Sequence, residues 1–596
     1  MILKELSDYG MTLVKRGVLP PFGWSLVSAS YALEINAEGE LTNILDLRTE
    51  KQYGKKTVKA PLSCAVPFHP THTASTGSAL VLCDNLTYLM GVAGEGDDPV
   101  KAAARNRALI ALHHEIFDGV QSEKSKALLA FLDRYKGTEA DDDVFDPYRE
   151  MLPELSIATN IVLVYAEDGS FLHEDEKLAE AWNQYYQKEL FEGADTVTGE
   201  CSETGMSGPI ARTHALTRGF PGAKATGAAL VSFNLPSVDW FGKQQGYSAP
   251  VSAVCSLYYT SALQYLVRSP YHHKSIGDMT LLFWAQDETP EELESKVMSM
   301  TLYGQQKTLY DSEADESLYH AVNAMLAGAK PVEEFSQQTV SLTKNFYFLG
   351  LMPHSARLAP VFFQKDTMEG YLKNVKQHCE DCTIISRYGT YTPTLYDLIN
   401  AFETPDGRTP LNAKEQEALL SAVLQGSRYP QFCLNGMLNR IARDKTFSPE
   451  NPARAAILKA FLIRNGKDSC KEAATMILNQ ENQSEAYVLG RIFNLLVGLQ
   501  TRAMGELNSG FKDNLAGAAT YPKRTFPSLL KKTPHYFKIL QRDESTRALG
   551  LWFERQLAEL LDRVPIFPTK LTDTEQAEFM LGYYHAQAEK YSTKNN

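Results

Sequence analysis

The sequence predicts an α+β N-terminal part with antiparallel sheets, followed by an all-α C-terminal helical bundle. Three observations predict it. Short alternating apolar runs bounded by turn residues occur up to about Asp366. After that point apolar residues recur at three and four positions instead. With 596 residues, 44% of them hydrophobic, the chain can bury sizeable cores, and ~150 residues per domain gives two to four domains.

The first elements are local patterns. Tyr31, Leu33 and Ile35 alternate before a turn at Ala37 to Glu40, and Leu41, Leu45 and Leu47 resume, which predicts a hairpin. Val100 to Phe117 predicts a helix: Pro99 precedes it, and Ala103, Leu109, Ile110, Leu112 and Ile116 form its apolar face. Glu139 to Asp146 is acidic and predicts an exposed loop. The apolar run Asn160 to Ala166 meets Asp168-Gly169, a strong hairpin dipeptide. Further strands are expected at Gly227 to Asn234, at Met279 to Ala285 and in Phe346 to Phe363, the last broken by a hairpin turn at Met352 to Ser355. Helices are expected at Ser252 to Val267 and Pro290 to Tyr303.

Beyond Asp366 the periodicity predicts helices at Lys414 to Leu424, Cys433 to Ala442, Arg454 to Ile463 and Glu485 to Met504. In the last, Leu489, Ile492, Phe493, Leu496, Leu499 and Ala503 make one apolar stripe. Ala548 to Arg563 and Asp573 to Tyr591 close the chain, the latter opened by the capping box Thr572-x-x-Glu575.

Composition narrows the function. No secretory signal is visible at Met1 to Lys15, and no stretch reaches the ~18 uncharged apolar residues of a membrane span, so a cytoplasmic protein is expected. Eight cysteines, mostly scattered, make no disulfide framework. Cys379 and Cys382 beside His378 have zinc-like spacing but lack a second pair of ligands, and His69 with His72 and His113-His114-Glu115 are weaker still. No metal or cofactor is expected. Common nucleotide-loop, zinc-protease and serine-hydrolase motifs are absent from the sequence. Gly91, Gly94 and Gly96 precede a helix, yet Glu95, Asp97 and Asp98 would repel phosphate, so helix capping is the better reading. Asp141 to Asp143 fall in the expected loop, where nothing shields a general acid or base. A non-enzymatic protein is the expectation.

The net charge of −13 hides segregation. Between Ala211 and Ser275, Arg212, Arg218, Lys224, Lys243, Arg268 and Lys274 oppose one anion, Asp239. Between Lys512 and Arg542, seven cations oppose only Asp513. Such clustering is the footprint of anion-facing surfaces, or else of solvated faces.

Several segments in order resemble one family, the large subunit of the type I-C CRISPR Cascade complex. They are Gly222 to Asn234 (GAKATGAALVSFN), Phe241 to Ser252 (FGKQQGYSAPVS), Gly277 to Ala285, Phe346 to Pro353, Ala486 to Phe493 (AYVLGRIF) and Leu581-Gly-Tyr-Tyr584. In Thr71 to Gly77 the chain departs from the family's pattern, having His72 and small polar residues where basic ones are expected.

The resemblance implies an RNA-guided DNA surveillance complex in antiviral defence. Guide crRNA reads the target by base pairing, while this subunit reads the protospacer-adjacent motif (PAM) in the flanking duplex. It would aid duplex opening, stabilise the R-loop with its displaced strand, and recruit the helicase-nuclease. Its partners would be the crRNA, the target double-stranded DNA, the Cascade backbone and crRNA-processing subunits and the small subunits, with no membrane. The alternative is a structural scaffold that contacts protein and guide RNA but not duplex DNA.

The implied domains are an α+β domain over 1–365 for PAM recognition and docking, with a subdivision near 150–195. A helical linker region over 366–475 and a bundle over 476–596 resembling the Cascade small subunit follow. That bundle is also expected as a separate product starting at Met476.

The candidate DNA-contacting residues are Asn234, Lys243, Gln244, Gln245, Lys224, Thr226 and Gly227. Gln and Asn carry the donor and acceptor pair that addresses an adenine edge, and Lys reaches a guanine acceptor or a phosphate. Gly222, Gly227, Gly242 and Gly246 would let backbone approach a ligand closely, or simply make turns. For a single-strand path the candidates are Lys523, Arg524, Lys531, Lys532 and Lys538, interleaved with Tyr521, Phe526, Tyr536 and Phe537. Those aromatics either stack bases or form bundle core.

Overall fold

The computed structural model describes residues 2–53, 56–68, 79–94, 97–193, 196–233, 242–304, 312–327, 332, 341–404, 411–444, 447–505 and 510–592. Contacts divide the chain into two units, Met1–Ala215 with Val231–Leu263, and Leu216–Leu230 with Gln264–Asn596. Among the described residues no helix is long and apolar enough to cross a membrane.

The first unit is built on a five-stranded sheet. The predicted hairpin forms from β1 (Tyr31–Ile35) and β2 (Leu41–Asp46), which pair antiparallel. β3 (Cys83–Asp84) and β5 (Ser170–Phe171) each pair antiparallel with β4 (Ile161–Tyr165), while β4 runs parallel to β1. Asp168-Gly169 makes the expected turn: the Asp168 carboxylate accepts from Ser170 N–H and Oγ, and Gly169 adopts a φ of 69°. Every residue of β4 is buried because both faces are covered, which explains its unbroken apolar run. Ile161, Leu163 and Tyr165 join a core containing Leu109, Ile110 and Phe117 from α1 (Pro99–Phe117). Val162 and Val164 pack with Val66 and Cys64, from a ribbon that pairs Trp24–Ala29 with Leu62–Pro67.

Asp98 caps α1 through Val100 N–H, and Gly91 ends the preceding Leu86–Met90 helix at a φ of 91°. Capping therefore accounts for this part of the glycine cluster; Gly96 lies outside the described residues. The acidic stretch is not wholly loop. Asp143–Tyr148 winds into a 3-10 helix because Phe145 is a buried anchor.

In the second unit an antiparallel meander joins β6 (His273–Ile276), β7 (Met279–Ala285), β8 (Asn345–His354) and β9 (Arg357–Thr367). The turn between β8 and β9 is Ser355-Ala356, tighter than the predicted Met352 to Ser355, and Ser355 takes a φ of 59°. Pro353 is tolerated inside β8 because β7 pairs with β8 only as far as Leu351, so the missing N–H breaks no ladder bond there. The predicted strand Gly227 to Asn234 does not form in its described part. Gly227 turns the chain at a φ of 109°, leaving isolated bridges at Ala228 and Ala229.

Helices then dominate, as predicted: α2 (Leu293–Tyr303), α3 (Met368–Cys382), Ala413–Gln425, Gln431–Asp444, α4 (Ala453–Asn465), α5 (Glu485–Met504), α6 (Pro522–Leu530), α7 (Thr533–Arg542), α8 (Glu544–Leu561) and α9 (Asp573–Ser592). A short ribbon, Ile384–Ser386 with Gly389–Tyr391, interrupts them. One continuous core runs from Ile276 and Phe283 through Tyr371 and Leu458 to Phe493 and Tyr584, so the meander and the C-terminal helices share it. Thr572 and Glu575 form the predicted box at the start of α9.

The recognisable segments Ala486 to Phe493 and Leu581 to Tyr584 meet where α5 crosses α9. A Cβ on Gly490 would overlap Phe579 O and lie 2.7 Å from Tyr583 N, and one on Gly582 would overlap Tyr487 O. Tyr487 Oη and His585 Nδ1 are hydrogen-bonded at 2.9 Å beside the crossing.

Candidate nucleic-acid interface

In the first unit, the loop carrying Lys243, Gln244 and Gln245 is held from within. Gly246 N–H donates to Arg212 O at 3.0 Å, and a Cβ on Gly246 would stand 2.7 Å from that same oxygen. Arg212 Nε donates to Gln245 Oε1 at 2.7 Å, and Gln245 adopts a φ of 51°, uncommon for a residue with a side chain. Gln245 is thus an anchor rather than a free reader. Lys243 and Gln244 are exposed beside it, and their side chains have no partner among the described residues. A rigid base with a solvent-facing amide and ammonium is what a groove reader needs. Asn234 lies outside the described residues.

Lys224, Thr226 and Gly227 belong to the second unit. Their loop lies along the β8–β9 tip: Lys224 N–H donates to Ser355 O at 3.2 Å, Ala229 N–H to Ala356 O at 2.9 Å, and Leu358 N–H to Ala229 O at 2.9 Å. Lys224 and Thr226 are exposed. Gly227 is buried, and a Cβ there would meet Leu216 and Thr217, so its close approach is to its own chain. Lys274, counted among the basic residues, is half-buried with Nζ over the Tyr303 ring, and burial lowers its pKa. A cavity of about 260 Å³ opens beside this loop, lined by Gly222, Ser275, Gly277, Asp278 and Pro353 among others.

On the C-terminal helices Lys523, Arg524, Lys531, Lys532 and Lys538 are all exposed, on and between α6 and α7. None has a carboxylate partner among the described residues; Lys532 Nζ sits over the Phe511 ring. The aromatics divide. Phe526 and Tyr536 are buried and Phe537 is half-buried against the core, whereas Tyr521 is 46% exposed.

The other sequence candidates are structural. His113 is buried, with Nδ1 bonded to Leu109 O at 2.8 Å and Nε2 accepting from Leu82 N–H; burial pushes its pKa down to about 4. His114 instead faces Asp118 and Asp133. His378, Cys379 and Cys382 are buried on α3, with His378 bonded to Tyr429. Among the described residues no group of three or more His, Cys, Asp or Glu could hold a metal. His69 and His72 lie outside the described residues.

Sequence reasoning missed a buried ionic cluster. His272 Nε2 lies 3.5 Å from Glu288 and 3.4 Å from Glu292, and Nδ1 donates to Phe283 O. Tyr265 Oη donates to Glu292. Burial opposes charge on His272, but Glu288 and Glu292 prevail and hold its pKa above the ordinary value. The side chains of His272 and Glu288 are fully buried, so the cluster fastens the start of β6 to the start of α2. His272→Ala is expected to cost ~3–5 kcal/mol, because Glu288, whose pKa burial raises, and Glu292 then lose the imidazolium that offsets their burial. A raised pKa stabilises fully below pH ~6.5 and is lost as pH rises through the folded-state value. Urea midpoints should therefore separate wild type from variant more at pH 6 than at pH 9.

Compared with known proteins, residues 6–591 match the model of one family, described as CRISPR-associated protein (Cas_Csd1). No curated protein matches the chain.

Proposed function

Because the chain belongs to the CRISPR-associated protein family Cas_Csd1, we propose that it is the large subunit of a type I-C RNA-guided DNA surveillance complex. In this reading it acts in the cytoplasm without a catalytic centre of its own. Lys243 and Gln244 read the PAM in duplex DNA, and Lys224 and Thr226 are separate DNA contacts on the second unit. The chain then helps open the duplex, holds the displaced strand on the cations of α6 and α7, and recruits the helicase-nuclease. Its other partners are the crRNA, the backbone and crRNA-processing subunits and the small subunits.

The observation that carries the proposal is the family match across nearly the whole chain. The exposed cations of the C-terminal helices, without a carboxylate partner among the described residues, support it, since phosphate binding needs clustered ammonium and guanidinium groups.

Salt dependence tests it. The assembled complex would be titrated with single-stranded DNA over a range of salt, as wild type and as Lys523→Ala, Arg524→Ala, Lys531→Ala, Lys532→Ala, Lys538→Ala combined. The slope of log affinity against log salt should flatten by ~0.7 for each phosphate contact removed. An unchanged slope with unchanged affinity would mean that these cations serve protein docking alone.

A further inference from the structure

Tyr521, Lys523, Arg524 and Thr569 line one cavity of about 310 Å³, within the ~300–1,000 Å³ range of small-ligand clefts. The charge count between Lys512 and Arg542 does not contain this site, because one wall comes from the segment between α8 and α9. Two backbone bonds hold that wall in place: Lys523 N–H donates to Pro568 O at 3.0 Å, and Leu571 N–H donates to Thr520 O at 3.1 Å. Phe567 stacks on Phe526 with ring centroids 5.3 Å apart and planes 14° apart, and Phe526 is fully buried in the core. The cavity is therefore formed before any ligand arrives. Thr569 and Lys570, lying between the two backbone bonds, are both exposed.

The chemistry of the lining is uneven in a useful way. Tyr521 offers an exposed aromatic ring with no stacking partner among the described residues. Lys523 and Arg524 are exposed without a carboxylate partner among the described residues, and Thr569 faces them from the opposite wall. At the start of α9, the Glu575 carboxylate accepts from Thr572 N–H and Oγ. An aromatic face beside two cations suits one unpaired nucleotide, its base on the ring and its phosphates on the ammonium and guanidinium groups.

We infer that Tyr521, Lys523, Arg524 and Thr569 form a preformed pocket for a single unpaired nucleotide of a DNA strand, with Tyr521 as the stacking platform. This rests on the reading of the α6–α7 cations as a single-strand path and adds to it a fixed station where one base is held. Lys531, Lys532 and Lys538 track phosphates only.

The test compares an ordinary oligothymidylate with an abasic strand of equal length, both bound to the full chain. Tyr521→Ala should weaken the ordinary strand roughly 5- to 100-fold and leave the abasic strand unchanged. Tyr521→Phe should bind like wild type, since stacking needs the ring and not the hydroxyl. Lys523→Ala should weaken both strands. Equal effects of Tyr521→Ala on both strands, or none on either, would overturn the pocket. The combined Lys531→Ala, Lys532→Ala, Lys538→Ala variant is the separate control: if it too leaves both strands unaffected, the single-strand path itself fails. If it weakens both while Tyr521→Ala does nothing, only the pocket fails.

Discussion

Gly490→Val is expected to unpack the C-terminal helices, and Gly490→Ala to destabilise them at or above the upper end of the ~1–3 kcal/mol typical of overpacking. The reason is backbone. An added Cβ would overlap Phe579 O and stand 2.7 Å from Tyr583 N, so no rotamer change relieves it and α5 must move off α9. That separation would disturb Phe493 against Tyr583, with ring centroids 5.3 Å apart, and the bond between Tyr487 and His585. Gly498 on the same helix is the internal control. Its Cβ would lie 3.5 Å from the Phe553 ring, an ordinary contact, and the substitution recovers helix propensity worth up to ~1 kcal/mol. Thermal unfolding should therefore drop for Gly490→Ala and hold or rise for Gly498→Ala. Equal midpoints for the two variants would refute the crossing.

Lys243→Ala with Gln244→Ala is the second large effect, and it is functional rather than structural. Both side chains are exposed without a partner among the described residues, so their removal costs the fold little. Each lost base contact is expected to cost ~1–3 kcal/mol of discrimination. Gln245 behaves differently. Its side chain accepts from Arg212 and its φ is 51°, so Gln245→Ala releases the loop and weakens reading indirectly. On the proposed reading, cations would position the duplex, whereas an amide would distinguish one base edge from another.

Much of this was legible in the sequence because it is local. The 31–46 hairpin, the Asp168-Gly169 turn and the α5 stripe follow from alternation, turn chemistry and helical spacing within a few residues. The parallel pairing of β1 with β4 was not, because a parallel neighbour arrives only after a long crossover that no local pattern announces. Glycine was the most misleading residue. Gly227 and Gly246 signalled close approach correctly, but the approach is to Thr217 and Arg212 of the same chain. The aromatics of the basic segment divided by periodicity: Phe526, Leu529, Thr533, Tyr536 and Leu540 recur at three and four residues and are buried, while Tyr521 lies off that stripe. His272, Glu288 and Glu292, and the approach of Thr569 to Tyr521, depend on long-range packing, which leaves no trace in spacing.

The direct test of the central claim is PAM discrimination by the assembled complex, taken as the ratio of its affinities for duplexes with a permissive and a scrambled PAM. With Lys243→Ala and Gln244→Ala together, that ratio should fall by at least about fivefold, the equivalent of one lost base contact of ~1 kcal/mol. A ratio equal to that of the wild-type complex, with both duplexes bound as before, would contradict PAM reading by this loop.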